Sequence, residues 1–155
     1  IVLINGTSGT MKSSVSFNIL YNEALKGNTG FYVTLEQSSA SIIKHMVNMD
    51  FDLSKINIVI ISDFSHIEKD IKSMKSSKKG YLIIADLGTI RKKVRNAKFF
   101  ATDGWLNAVK NMVNKISKKH NCKLFVLDSL NALYSLADLQ CTRYDYAWND
   151  DVDVW

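Results

Sequence analysis

The chain has 155 residues, with 20 Lys plus Arg, 15 Asp plus Glu, 46% hydrophobic and 23% charged residues. That length and apolar content suit one core and exclude intrinsic disorder, while no apolar run approaches the about 20 residues of a membrane-spanning helix. Seven Gly with no Pro exclude collagen-like and mucin-like chains, and two cysteines in unrelated contexts, Cys122 and Cys141, exclude a disulfide scaffold and a Cys-based zinc site and favour a reducing cytosol.

In chain order, the first strand signal is Ile1 to Ile4, a short apolar run rich in β-branched residues. It opens the chain directly, without a charged leader. Ordinary proline usage is about 5%, so this proline-free sequence is expected to be part of something longer, with no targeting segment visible. Next comes a loop of small residues, then a helix over Lys12 to Lys26, with Val15, Ile19, Leu20, Ala24 and Leu25 toward one side. A strand over Gly30 to Leu35 precedes a helix over Ser39 to Met49, whose Ile42, Ile43, Met46 and Val47 share a face. Strands at Ile56 to Ile61 and Tyr81 to Ala85 flank a polar loop at Lys72 to Lys79. The longest amphipathic helix runs Gly104 to Lys119 on Trp105, Leu106, Val109, Met112, Val113 and Ile116. Thr102 or Asp103 suits its N-cap, and Lys118, Lys119 and His120 suit its negative end. The last strand is Lys123 to Leu127. Strands alternating with helices predict an α/β fold, with a mostly parallel sheet and helices on both faces.

The segment Gly6, Thr7, Ser8, Gly9, Thr10, Met11, Lys12, Ser13 and Ser14 carries the chemistry. A buried strand, a small-residue loop and a Lys-Ser helix start are what phosphate binding needs. Loop N–H groups and the positive helix end converge on the anion, and small residues let the backbone approach. Lys12 reaches β- and γ-phosphates in such a loop and the Ser13 hydroxyl helps hold Mg²⁺. Gly6, Lys12 and Ser13 fit the phosphate-loop pattern, and Met11 stands where it has glycine. Asn5-Gly6-Thr7 also matches a glycosylation tripeptide, which an intracellular chain does not use.

Magnesium needs a carboxylate at the end of a neighbouring strand. Asp63, Asp86 and Asp128 each end an apolar run. Asp128 is favoured because its strand follows the long helix as a crossover strand should, and Asp86 is the alternative. Glu36 lies at the C-terminal edge of its strand, where ligands collect. If that strand neighbours Ile1 to Ile4, Glu36 is placed to polarise an attacking water; otherwise a salt bridge or a cap on the next helix accounts for it.

Phe31 to Gln37 (FYVTLEQ), the helix with Ile42 and Met46, the Phe51-Asp52-Leu53 turn, and Leu127 to Leu133 (LDSLNAL) together resemble the KaiC branch of the RecA-type P-loop ATPases over residues 1–139. The resemblance implies ATP binding at Gly6 to Ser14, Mg²⁺ at Ser13 and Asp128, and catalysis through Glu36 with Lys12. It further implies a homo-oligomeric ring or filament with ATP between subunits, in a cytoplasmic protein akin to archaeal single-domain relatives. Gln37 replaces the second Glu of the family's pair, the segment 63–103 is long and basic, and the strands beyond Asp128's are absent. The tail 140–155 matches nothing in the family. Residues 138–155 hold one base, Arg143, against Asp138, Asp145, Asp150, Asp151 and Asp153, so the basic charge sits in the body.

Three other features have ordinary readings. Arg91 to Arg95 with Lys98, Phe99 and Phe100 mixes charge and aromatics as a nucleic-acid grip does, but a solvated helix face or loop is the favoured reading. His45, His66 and His120 are isolated, without metal-ligand spacing. Met46, Met49 and Trp105 are expected in the core. The sequence therefore points to an ATP-binding, slowly hydrolysing ATPase, with a nucleotide-responsive interaction module and a nucleic-acid-binding ATPase as alternatives.

Overall fold

A computed structural model of the chain describes residues 1–63, 69, 74, 77–89, 104–120 and 122–132. Its elements are α1 (Lys12–Leu25), β1 (Thr29–Thr34), α2 (Ser39–Asn48), a 3-10 turn (Leu53–Lys55), β2 (Asn57–Ile61), β3 (Tyr81–Asp86), α3 (Gly104–His120) and β4 (Cys122–Asp128). The strands form a sheet in the order β2-β3-β1-β4. All three pairings are parallel. The strand ends expected from the apolar runs fall within a residue of those observed, except at the start of the chain.

Every residue of β1 is buried. Alternation along the strands divides the core in two. Phe31 and Val33 point to one face with Ile83 and Ala85, where Met112 and Ile116 of α3 cover them. Tyr32, Leu82 and Ile84 point to the other, against Phe17, Leu20 and Ala24 of α1 and Ile42 and Met46 of α2. Helices therefore lie on both faces, as the α/β pattern predicts. The two edge strands are less covered: Ile60 of β2 and Phe125 of β4 are both over two-fifths exposed.

Two expectations fail here. Ile1 to Ile4 is not a strand; its residues are exposed and pair with nothing in the sheet. An apolar run signals burial but not a partner edge, and four residues without a ladder leave the backbone polar groups to water. The buried face of α1 is Ser14, Phe17, Leu20, Tyr21 and Ala24. Val15, Ile19 and Leu25, expected inside, are exposed. The helix is turned so that its aromatic residues face inward: Phe17 and Tyr21 each pack edge-on against Phe51, at 5.6 and 5.1 Å. Burying aromatic area outweighs burying the smaller Val and Ile. On α2, Ile42 and Met46 are buried as expected and Val47 is exposed. On α3, Met112 and Ile116 hold the core; the side chains of Trp105, Leu106 and Val109 lie outside those described, as do residues 91–100 and 140–155.

One close contact fixes α1 against the sheet. A Cβ at Gly80 would lie 2.2 Å from the Asn28 carbonyl oxygen and 2.4 Å from that of Ala24. The Gly80 N–H donates to Ala24 O at 2.9 Å, joining the start of β3 to the end of α1. Only glycine permits this approach. With that end of α1 pinned, its N-terminus lies over the carboxyl ends of β1 and β4.

Candidate functional site

The loop before α1 is exposed from Ile1 to Met11. It is held by its own bonds: Thr10 donates its hydroxyl to Thr7 O at 2.8 Å, and Gly6 N–H donates to Asn5 Oδ1 at 2.8 Å. Gly9 turns at φ 82°, with nothing within 4 Å of where a side chain would start. Lys12 folds back over the loop, its ammonium donating to Gly6 O at 2.7 Å and Thr7 O at 2.6 Å. An ammonium has three donors, so one remains to face an anion at the loop.

Met11 is the N-cap of α1, at φ 60° and ψ 21°. This is the left-handed conformation, which costs a residue with a Cβ about 1–2 kcal/mol. The phosphate-loop pattern has glycine at this place, and the geometry gives the reason. No side chain caps the helix, and its first turn has no acidic residue. A positive helix end with an inward-facing lysine and no carboxylate of its own suits a phosphate group. Ser8 is exposed on the turn. Ser14 is buried and bonded at 3.2 Å to His45 Nε2 on α2, so His45, isolated in the sequence, ties the loop's helix to its neighbour.

The three strand-end carboxylates separate sharply. Asp86 is 2% exposed and fully engaged in structure. Its Oδ2 accepts from Ser39 N–H at 2.8 Å and Thr89 Oγ at 2.9 Å, and its Oδ1 from Thr89 N–H at 2.8 Å. It caps α2 and the turn after β3, so the alternative role considered for it at the metal is taken by other work. Asp63 follows edge strand β2, with β3 and β1 between it and β4. Asp128 ends β4, directly beside β1, and its Oδ2 accepts the hydroxyl proton of Tyr32. The Ser13 side chain lies near the same phenol. Burial, then the bond to Asp128 and its negative charge, push the Tyr32 phenol far above its ordinary pKa, while Ser13 pulls it down. The phenol stays neutral and keeps the proton that it donates to the carboxylate.

Glu36 reaches the same edge by a route other than the one expected. β1 lies beside β4 rather than beside Ile1 to Ile4, and Glu36 Oε1 accepts from Ser129 Oγ at 2.5 Å, just past Asp128. It does not cap α2; Ser38 does, accepting from Ser41 N–H at 3.2 Å. Thr34 tightens the bend between them by donating its hydroxyl to Gln37 O at 2.7 Å. Tyr32 and Ser129 carried no site role in the sequence reading. The available signal was a tyrosine inside a fully apolar strand, since a buried phenol needs a partner.

Among the described residues no group of three or more His, Cys, Asp or Glu gathers to hold a metal ion. A cation here would take Ser13, Asp128, phosphate oxygens and water, which suits Mg²⁺, an ion that keeps several waters and needs few protein ligands. Among the same residues no helix is long and apolar enough to cross a membrane. In comparisons with known proteins, a family model described as the KaiC ATPase matches residues 1–146. No curated protein and no solved structure gives a significant match.

Proposed function

This chain belongs to the KaiC ATPase family, a RecA-like P-loop fold, and on that premise we propose that it binds ATP with Mg²⁺ at the Gly6 to Ser14 loop and hydrolyses it slowly. The observation that carries this is one sheet edge holding the uncapped start of α1, the Lys12 ammonium, the Tyr32–Asp128 bond and Glu36 together.

In this reading the loop N–H groups and Lys12 hold the β- and γ-phosphates, exchanging the bonds Lys12 makes to Gly6 O and Thr7 O for bonds to phosphate oxygen. Mg²⁺, when bound, neutralises charge that builds on those oxygens. Ser13 and Asp128 orient it. Glu36, fixed by Ser129, orders the attacking water and accepts its proton. Phosphoryl transfer needs mainly positioning and charge neutralisation, which these groups provide. The bond at Ser129 leaves the second Glu36 oxygen to face water. ATP at a subunit boundary in a homo-oligomer is part of the same proposal. No observation in the described residues favours nucleic acid.

A second reading is a nucleotide-responsive interaction module without useful turnover, in which ATP biases assembly by preferring one state. The left-handed Met11 and the Gln37 in place of a second Glu favour it. Glu36→Gln separates the two, because the amide oxygen still accepts from Ser129 while basicity is lost. The ATPase reading predicts that phosphate release falls at least tenfold with ATP affinity unchanged; equal, background-level release from both proteins would support the module.

A further inference from the structure

Tyr32 of β1 donates its hydroxyl to Asp128 Oδ2 at the end of β4, far from it in sequence. Tyr32 is placed rigidly. It lies in the wholly buried strand β1, is 0% exposed, and its ring packs at 6.3 Å against Phe17 of α1. The direction of the bond follows from chemistry. An ionised carboxylate only accepts, so the Tyr32 hydroxyl is the donor and Asp128 Oδ2 the acceptor.

We propose that Tyr32 is a positioning residue for the divalent cation: its hydroxyl fixes the Asp128 carboxylate to face the ion. This inference rests on the nucleotide reading above. Without the phenol, Asp128 loses the bond that fixes its plane. Groups that orient metal ligands typically alter metal affinity by about 10–100-fold when removed.

The test compares ATP affinity by calorimetry in Mg²⁺ and in EDTA, for wild type, Tyr32→Phe and Phe17→Leu. Phenylalanine keeps the ring that fills the core, and melting curves verify folding. The ratio of the two affinities measures the coupling of metal to nucleotide. Tyr32→Phe is expected to reduce that ratio about tenfold with the EDTA affinity unchanged. Phe17→Leu, which loosens the same packing and keeps the hydroxyl, is expected to lower the melting temperature and leave the ratio as in wild type. A Tyr32→Phe ratio within twofold of wild type overturns the proposal, as does an equal loss in Phe17→Leu, which would make the effect one of packing. Wild type that binds ATP with no Mg²⁺ enhancement overturns this proposal alone. Wild type that binds no ATP in either buffer overturns the nucleotide reading and this inference with it.

Discussion

Helices α1 and α2 both begin at the carboxyl edge of the same parallel sheet, and their N-termini are finished in opposite ways. The α2 terminus is satisfied from within: Ser38 accepts one N–H, and buried Asp86 accepts another from Ser39. The α1 terminus begins at a left-handed Met11, with no side-chain cap and no acid in its first turn. The two aspartates nearby repeat the contrast. Asp86 and Asp128 are both in register with Thr34, one on each side of β1. One spends both oxygens on the fold, and the other is held by a single phenol beside the exposed loop. Equivalent positions in a sheet therefore acquire different work from what surrounds them, and the end that the fold leaves unsatisfied is the candidate for a ligand.

The sharpest way to break this comparison is to exchange the demands on the two aspartates. Asp86→Ala strands two backbone N–H groups and the Thr89 hydroxyl, so it is expected to cost about 3 kcal/mol in urea denaturation. Asp128→Asn keeps an oxygen for Tyr32 and is expected to change stability by less than about 1 kcal/mol, while removing the Mg²⁺ enhancement of ATP binding. The opposite ranking of the two stabilities would show that Asp128 is the structural member of the pair.

At the helix ends, Ser38→Ala removes the α2 cap and is expected to cost about 1 kcal/mol by the same measurement. Met11→Gly acts in the other direction. It relieves the left-handed backbone against a more flexible unfolded chain, for a net gain of about 0.5–1 kcal/mol. A loss of stability there would mean that the exposed methionine side chain makes contacts outweighing its backbone strain. The smallest effect is expected far from both termini. Bonds from Lys26 and Asn28 hold Glu23 below the usual carboxylate range. Whatever that pair contributes is present at neutral pH and lost as acid protonates Glu23. Lys26→Ala is expected to leave the melting temperature unchanged within error, since exposed pairs are heavily screened.

Much of this arrangement was legible in the sequence where local chemistry decides it. The buried strands β1 and β3 announce themselves as unbroken apolar runs, and the amphipathic period of α3 places Met112 and Ile116 in the core. Lys12 and Ser13 follow from the order of loop and helix. What the sequence left ambiguous depends on neighbours. Ile1 to Ile4 has strand composition but no paired edge. Of the face expected on α1, Leu20 and Ala24 are buried while Val15, Ile19 and Leu25 are not, because Phe17 and Tyr21 find Phe51 across a turn, a contact no periodicity contains. Three aspartates at strand ends look alike until strand order sets Asp128 beside β1 and gives Asp86 its donors. Tyr32 reads as one more apolar strand residue until its hydroxyl is followed to Asp128, which lies far from it in sequence.

The central claim is that the loop from Gly6 to Ser14 binds a nucleotide through its backbone and Lys12. Isothermal calorimetry of ATP with Mg²⁺, on wild type and Lys12→Ala, tests it most directly. Wild type is expected to show saturable one-site binding that Lys12→Ala abolishes. Binding of equal strength by both proteins, or none by wild type, would contradict it.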